Sequence, residues 1–309
     1  MTIDLRRATH WHRPLMTLVY LMAVLAVVSA VGIFVDSRVL LGAPIWLKPF
    51  KFAVSFVLYG LTLAWMLSLL PPRRSRVAQR MATLIAAIAA IENAWIVGQV
   101  LRGQTSHFNI STPLNLALFA TMAALITVLF VAHLVLGIVV LIQRIPDRVA
   151  RSAVRWGLGL SLLGMLAAIP MTLPSQDPGI EGIGGAHSVG VPDGGSGLPV
   201  AGWSTTGGDL RIGHFVGLHA LQALPILAIL LTRFATRLDE RTRARLVAVA
   251  GAAYGVLTVL LTWQAMRGQP LLRPDAVTLA AVAALVVTTA AATALVLARR
   301  RRSDLALAA

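Results

Sequence analysis

Three ionisable residues lie inside otherwise apolar stretches of this chain: Glu92, His133 and His219. A carboxyl or an imidazole is costly in hydrocarbon, so each is a candidate proton carrier, ligand contact or metal ligand. Counting back to the arginine that closes each stretch gives a depth, at about 1.5 Å per helical residue. Glu92 stands 12 residues from Arg80, His133 11 from Arg144 and His219 14 from Arg233. The three are therefore expected at one level, near or just beyond a bilayer midplane, where they could share a site. The plainer reading of each is a packed, hydrogen-bonded side chain. His214 precedes His219 by five residues, about 140° around a helix, so these two imidazoles point to different neighbours.

Two further patterns carry polar chemistry. The chain has 25 arginines but only two lysines, Lys48 and Lys51, both in the segment WLKPFKF. A lysine ammonium is compact, rotatable and able to lose its proton when desolvated, unlike the fixed guanidinium fork. The pair is expected either to meet an anionic ligand or internal carboxylate, or to anchor the interface beside Trp46. The second pattern is a repeated hexapeptide, QVLRGQ at Gln99 to Gln104 and QAMRGQ at Gln264 to Gln269. Its glycine suits a helix end, while Gln99, Arg102, Gln264 and Arg267 would satisfy carbonyls or line a mouth. The segment RGQTSHFNIST that follows the first copy adds His107. The candidate ligand-binding set is thus Glu92, His219, His214, Lys48, Lys51, Gln99, Arg102, His107, Gln264 and Arg267. His133, His219 and Glu92 are the candidates for a haem or a divalent metal. With no cysteine, disulfides, thiolate metal sites and cysteine nucleophiles are excluded. Ser55, Ser106 and Ser161 stand in no GxSxG, HExxH or Asp-rich motif.

The elements that must position these residues are legible from hydropathy. The 309 residues are 57% hydrophobic with a mean hydropathy of +0.79, more apolar surface than a soluble protein of this size can hide. Apolar runs of spanning length fall at about 15–35, 53–70, 81–99, 114–142, 154–172, 212–232, 246–265 and 276–297. Backbone groups in hydrocarbon must pair within their own segment, so the expected fold is an all-α integral membrane protein of eight transmembrane helices. The first run is too long for a signal-peptide core and reads as an uncleaved span. The fourth is longer than a bilayer requires and should tilt; Pro170 and Pro225 should kink their spans.

The net charge of +15 is no nucleic-acid signature, because its placement is too regular. Twenty of the 27 basic residues fall in residues 1–14, 71–80, 143–155, 233–245 and the tail after Val296. That alternation is the positive-inside pattern and places both termini in the cytoplasm. The Ala-, Leu-, Val- and Arg-rich composition suits a bacterial inner membrane. The two hexapeptides end the third and seventh runs, and the hairpins before them match: 47 residues from Phe52 to Gln99, 49 from Phe215 to Gln264. Two parallel four-helix repeats are therefore expected, residues 1–150 and 151–309, related by a pseudo-twofold axis along the membrane normal. The plainer reading is helix-capping chemistry recurring by chance. Between the fifth and sixth runs lies a Gly-rich outer loop, 173–211, which contains eleven glycines with His187, Trp203 and Asp209. Its charges are few and scattered, so it reads as a structured cap rather than a linker.

Eight helices in two four-helix halves are similar in plan to the haem A synthases, which hold haem with histidine pairs inside each half. The resemblance is architectural and implies a haem site. Here the second and eighth spans carry no histidine, so only a pair across the halves, His133 with His219, or a metal joined by Glu92, would serve. The expected function is an outward-facing intramembrane polar site that binds or transports a small polar or anionic molecule, with lipid and that small molecule as partners. A haem- or metal-binding redox enzyme is the alternative.

Overall fold

The computed structural model of the chain describes residues 11–70, 76–173 and 182–308, with 301–308 as backbone only. The N-terminal arginines Arg6 and Arg7, Arg73 and Arg74, the side chains of Arg301 and Arg302, and loop residues 174–181 lie outside the described residues.

Among the described residues eight α-helices are long and apolar enough to cross a membrane, which makes this an all-α multi-pass membrane protein. They are α1 (Arg13–Val35), α2 (Leu47–Ser68), α3 (Arg76–Leu101), α4 (Pro113–Ile142), α5 (Arg148–Leu166), α6 (Arg211–Phe234), α7 (Glu240–Met266) and α8 (Ala276–Ala308). Most begin before their apolar runs, because polar residues at the bilayer boundary supply the caps. Thr112, Asp147 and Asp239 each accept a hydrogen bond from a backbone N–H in the first turn of α4, α5 and α7. The early start of α2 matters most: it brings both lysines into the helix. Pro170 ends a span instead of kinking it, since α5 stops at Leu166 and Ile169–Thr172 forms a 3-10 turn. Pro225 is buried within α6.

The helices of the two chain halves have corresponding neighbours. In the first, α1 packs on α2 and α3, and α3 on α2 and α4; in the second, α5 packs on α6 and α7, and α7 on α6 and α8. Contacts between α2 and α6, and between α4 and α5, join the halves. Small residues allow close approach where the second half is tightest. A Cβ on Gly164 would collide with the Gly217 and Leu218 backbone, and one on Gly213 with Thr262. The central segment of α8 buries nothing and presents Val282, Val286 and Val287 outward, as a lipid-facing helix does.

Toward the arginine-rich face the interior is a continuous apolar layer. Leu63 and Met66 of α2, Ile85 of α3, Leu136 of α4, Leu158 of α5 and Leu221 of α6 are all fully buried there. Contacts along this face tie the helix ends: His12 to the Gln79 carbonyl, and Glu240 to the backbone N–H of Arg148.

At the opposite face both hexapeptides build the same helix end. The N–H of Gln104 bonds the Gln99 carbonyl and that of Gly103 the Val100 carbonyl; Gln269 and Gly268 repeat the pattern on Gln264 and Ala265. This is a Schellman termination, with the glycines at φ +68° and +71°. In each copy the first glutamine donates from Nε2 to a carbonyl six residues on, Thr105 or Pro270. Arg102 donates to Asn115 in the first turn of α4, and Arg267 to Asp275 and Thr278 at the start of α8. The hexapeptides thus clamp each helix end to the next helix start. Gly103→Ala or Gly268→Ala should cost about 1–2 kcal/mol, the left-handed penalty for a Cβ. Gly98→Ala, helical and facing open space, should be neutral or stabilising by up to about 1 kcal/mol. Thermal unfolding of the purified protein checks the contrast, and equal effects at 98 and 103 would contradict it.

Candidate ligand-binding site

Residues 48, 51, 55 and 59 recur at spacings of three, four and four, so they share one face of α2. They are Lys48, Lys51, Ser55 and Tyr59. Each polar end meets a partner from a different part of the protein, and the four levels form a ladder descending from the face opposite the arginines.

At the top, Lys48 Nζ lies 3.2 Å from His107 Nδ1, with the Ser106 hydroxyl 3.1 Å from the same nitrogen. An ammonium only donates, which assigns the His107 ring proton to Nε2. One turn below, Lys51 Nζ donates to the Ala201 carbonyl at 2.9 Å. Ser55 Oγ then stands 3.4 Å from His219 Nε2, whose Nδ1 is 3.2 Å from Gln222 Oε1. At the bottom the Tyr59 hydroxyl lies 2.7 Å from His133 Nδ1, and His133 Nε2 lies 2.9 Å from Ser161 Oγ. Ser161 donates to the Leu158 carbonyl, so this last level closes on backbone. Beneath it lies the apolar layer. The residues of the upper three levels are largely enclosed by protein yet keep some accessible surface.

A cap built from the Gly-rich loop lies over the ladder. Its strands β1 (Ser188–Val189) and β2 (Gly208–Asp209) pair antiparallel. The ribbon rests on the end of α7, where a Cβ at Gly208 would strike Ala265 of the second hexapeptide. Two carboxylates organise the cap, Asp209 buried and Asp193 half-buried. Asp209 accepts from the Ser204 N–H and from the Arg211 backbone and guanidinium. Asp193 accepts from the backbone N–H groups of His187 and Ser188 and from His187 Nδ1. Residues 182–184 pair with the segment after the first hexapeptide, through Asn109 and Ile183, and Gly184 and Phe108. The described part of the loop is therefore an ordered cap held by the second hexapeptide and by the segment that follows the first.

The expected residues are distributed unevenly over this arrangement. Lys48, Lys51, His107 and His219 belong to the ladder. His214 adjoins it, fixed by donation from Nδ1 to the Gly164 carbonyl at 2.7 Å, a group left unbonded where α5 ends. Glu92 is buried on α3 within electrostatic reach of Lys48, and its Oε1 has no hydrogen-bond partner. Gln99, Arg102, Gln264 and Arg267 take part in the helix clamps. Glu92, His133 and His219 do not assemble as one ligand set. Depth along a helix fixes height but not direction, and each faces a different neighbour. The nitrogens of His133 lie within hydrogen-bond distance of Tyr59 and Ser161, and those of His219 of Ser55 and Gln222. Among the described residues no three His, Asp or Glu side chains come together as metal ligands would. Tyr59 and the Asp209–Arg211 pair carry no signal of their own in the sequence; only the 3-4-4 spacing of α2 points toward the tyrosine.

No protein-family model matches the chain, no curated protein matches its sequence and no solved structure matches its fold.

The electrostatics of the cap make its docking sensitive to acid. Burial pushes the His107 imidazole well below its ordinary value, with the Lys48 charge adding to the effect. Burial lowers His187 as well and outweighs the hydrogen bond to Asp193. Burial acts to raise Asp193, but the bonds from His187 and Ser188 hold it below the usual carboxylate range. An undocked cap therefore binds protons that the docked cap excludes, and docking weakens as pH falls below the free imidazole value of 6.5. Limited proteolysis of the intact protein should cut within 187–210 faster at acid than at neutral pH. Asp193→Asn should loosen the cap at every pH, by about 1.5–3 kcal/mol for the charge-assisted bonds weakened. Cleavage that slows on acidification would contradict the assignment.

Proposed function

We propose that the chain captures a small anionic molecule in the crevice beneath the cap, from what the positive-inside rule makes the outer face of the membrane. The observation that carries this is the state of the two lysines. Arg211 and Arg38 are ion-paired with Asp209 and Asp36, whereas Lys48 and Lys51 hydrogen-bond an imidazole and a carbonyl and have Glu92 and Asp209 only within longer electrostatic reach. Two ammonium groups enclosed by protein and bonded to neutral acceptors form a site of positive potential, which an anion relieves. The Nε2–H of His107 adds a donor suited to the same ligand.

Capture fits the crevice better than passage. The ladder ends at Ser161 above an apolar layer, so moving a ligand across would require that layer to open. The corresponding helix neighbours and the two equal helix clamps support descent from a duplicated four-helix unit, with α2 and α6 meeting near its axis. The ladder breaks that symmetry, because α2 supplies the lysines and α6 the histidines.

The Ser55–His219–Gln222 geometry favours a second reading, an acyl-transfer enzyme in which His219 is the base for Ser55. Labelling by a fluorophosphonate that disappears in Ser55→Ala would support that reading. The primary reading is tested by thermal shift of the purified protein against sulfate, phosphate and short carboxylates. One of these should stabilise the protein, with affinity falling about 10- to 100-fold in Lys48→Met, the worth of one charge-assisted contact. If no anion stabilises it, or Lys48→Met binds like the unmodified protein, the reading fails.

A further inference from the structure

The first turns of α5 carry a second site, at the arginine-rich face. Arg148, Arg151, Ser152, Arg155 and Trp156 recur at helical spacing on one side of α5 and line a cavity of about 540 Å³. Its surroundings are fixed by three contacts. The Ser152 hydroxyl donates to the Ala244 carbonyl of α7, and Arg155 Nη2 to the Leu141 carbonyl at the end of α4, each at 3.1 Å. The Trp156 ring packs over Gly251 of α7, where a Cβ would collide with it. Three guanidinium groups thus border one cavity, and no carboxylate lines it. The nearest acids serve helix ends: Asp147 accepts from the Ala150 N–H and Glu240 from the Arg148 N–H. Among the described residues no ion pair involves Arg148, Arg151 or Arg155.

We infer that this cavity binds a phosphate-bearing anion, either the headgroup of an anionic membrane lipid or free phosphate. Guanidinium forks match phosphate oxygens in two-point contacts that a carboxylate-free cavity leaves unused. Several arginines around one pocket supply the charge that a single exposed arginine does not. The cavity also sits where α5 enters the membrane, at headgroup height, and Trp156 gives it an apolar wall beside the cationic rim. Basic pockets between spans at this level are suited to lipid headgroups. The site is remote from the capped crevice and independent of what that crevice binds.

The test uses the full-length protein in nanodiscs of phosphatidylcholine, with and without phosphatidylglycerol, and with inorganic phosphate titrated into the phosphatidylcholine discs. Thermal stability should rise with phosphatidylglycerol or with phosphate. A response to the lipid alone identifies a headgroup site, and a response to inorganic phosphate identifies the soluble ion. In the double variant Arg151→Gln, Arg155→Gln the concentration needed should rise about fivefold for each arginine lost. Arg245→Gln, a change on the same face outside the cavity, should leave it unchanged. Should the double variant fail to fold, the lipids co-purified with the unmodified protein take its place, and phosphatidylglycerol should be enriched among them over phosphatidylcholine. The inference is overturned if neither probe stabilises the protein and no enrichment is found, or if Arg245→Gln shifts the response as much as the double variant.

Discussion

A polar side chain placed inside a bilayer must find its partner within the protein, because no water is there to replace one. In this chain α2 carries that demand at four successive levels, and much of the architecture answers it. The segment after α3 supplies His107, the cap supplies the Ala201 carbonyl, α6 supplies His219, and α4 with α5 supply His133 and Ser161. Five parts of the chain, distant in sequence, are held against one helix face. Removing any partner would leave a buried polar group unpaired, at about 1–3 kcal/mol.

The same constraint explains the division of the interior. Where α2 has Leu63 and Met66 in place of polar residues, its neighbours answer with Ile85, Leu136 and Leu158, and the packing becomes fully apolar. Where α2 is polar, the packing keeps accessible surface. In the proposed reading the crevice is therefore blunt, open toward the cap and closed toward the arginine-rich face. The hexapeptides make this possible from outside: by ending α3 and α7 abruptly and clamping them to α4 and α8, they create the level platform on which the cap rests.

Hydropathy and arginine placement make the eight spans legible, because span length and charge asymmetry are local properties of the chain. The hexapeptide is equally readable as a helix end, since its glycine has one conformational role there. The partners of the ladder are not readable. Counting residues from an arginine puts Glu92, His133 and His219 at similar heights, but it says nothing about azimuth, which interhelical packing decides. The apolar run of the second span starts at 53 because Lys48, Pro49 and Lys51 interrupt it, yet a proline in a first turn is compatible with helix. Once the helix begins at Leu47, the lysines align with Ser55 and Tyr59. The ordering of the Gly-rich cap depends on two carboxylates that only the folded loop brings to their donors.

The central claim is a polar crevice on α2 that opens to one side of the membrane only. The chain's lack of cysteine makes single-cysteine labelling the most direct measurement. In sealed vesicles of known orientation, Ser55→Cys should react with a membrane-impermeant thiosulfonate added on the cap side, and faster with an anionic reagent than a cationic one. Met66→Cys, within the apolar layer, should be inert from both sides. A Ser55→Cys that is unreactive from the cap side, or labelled equally from either side, would contradict the account.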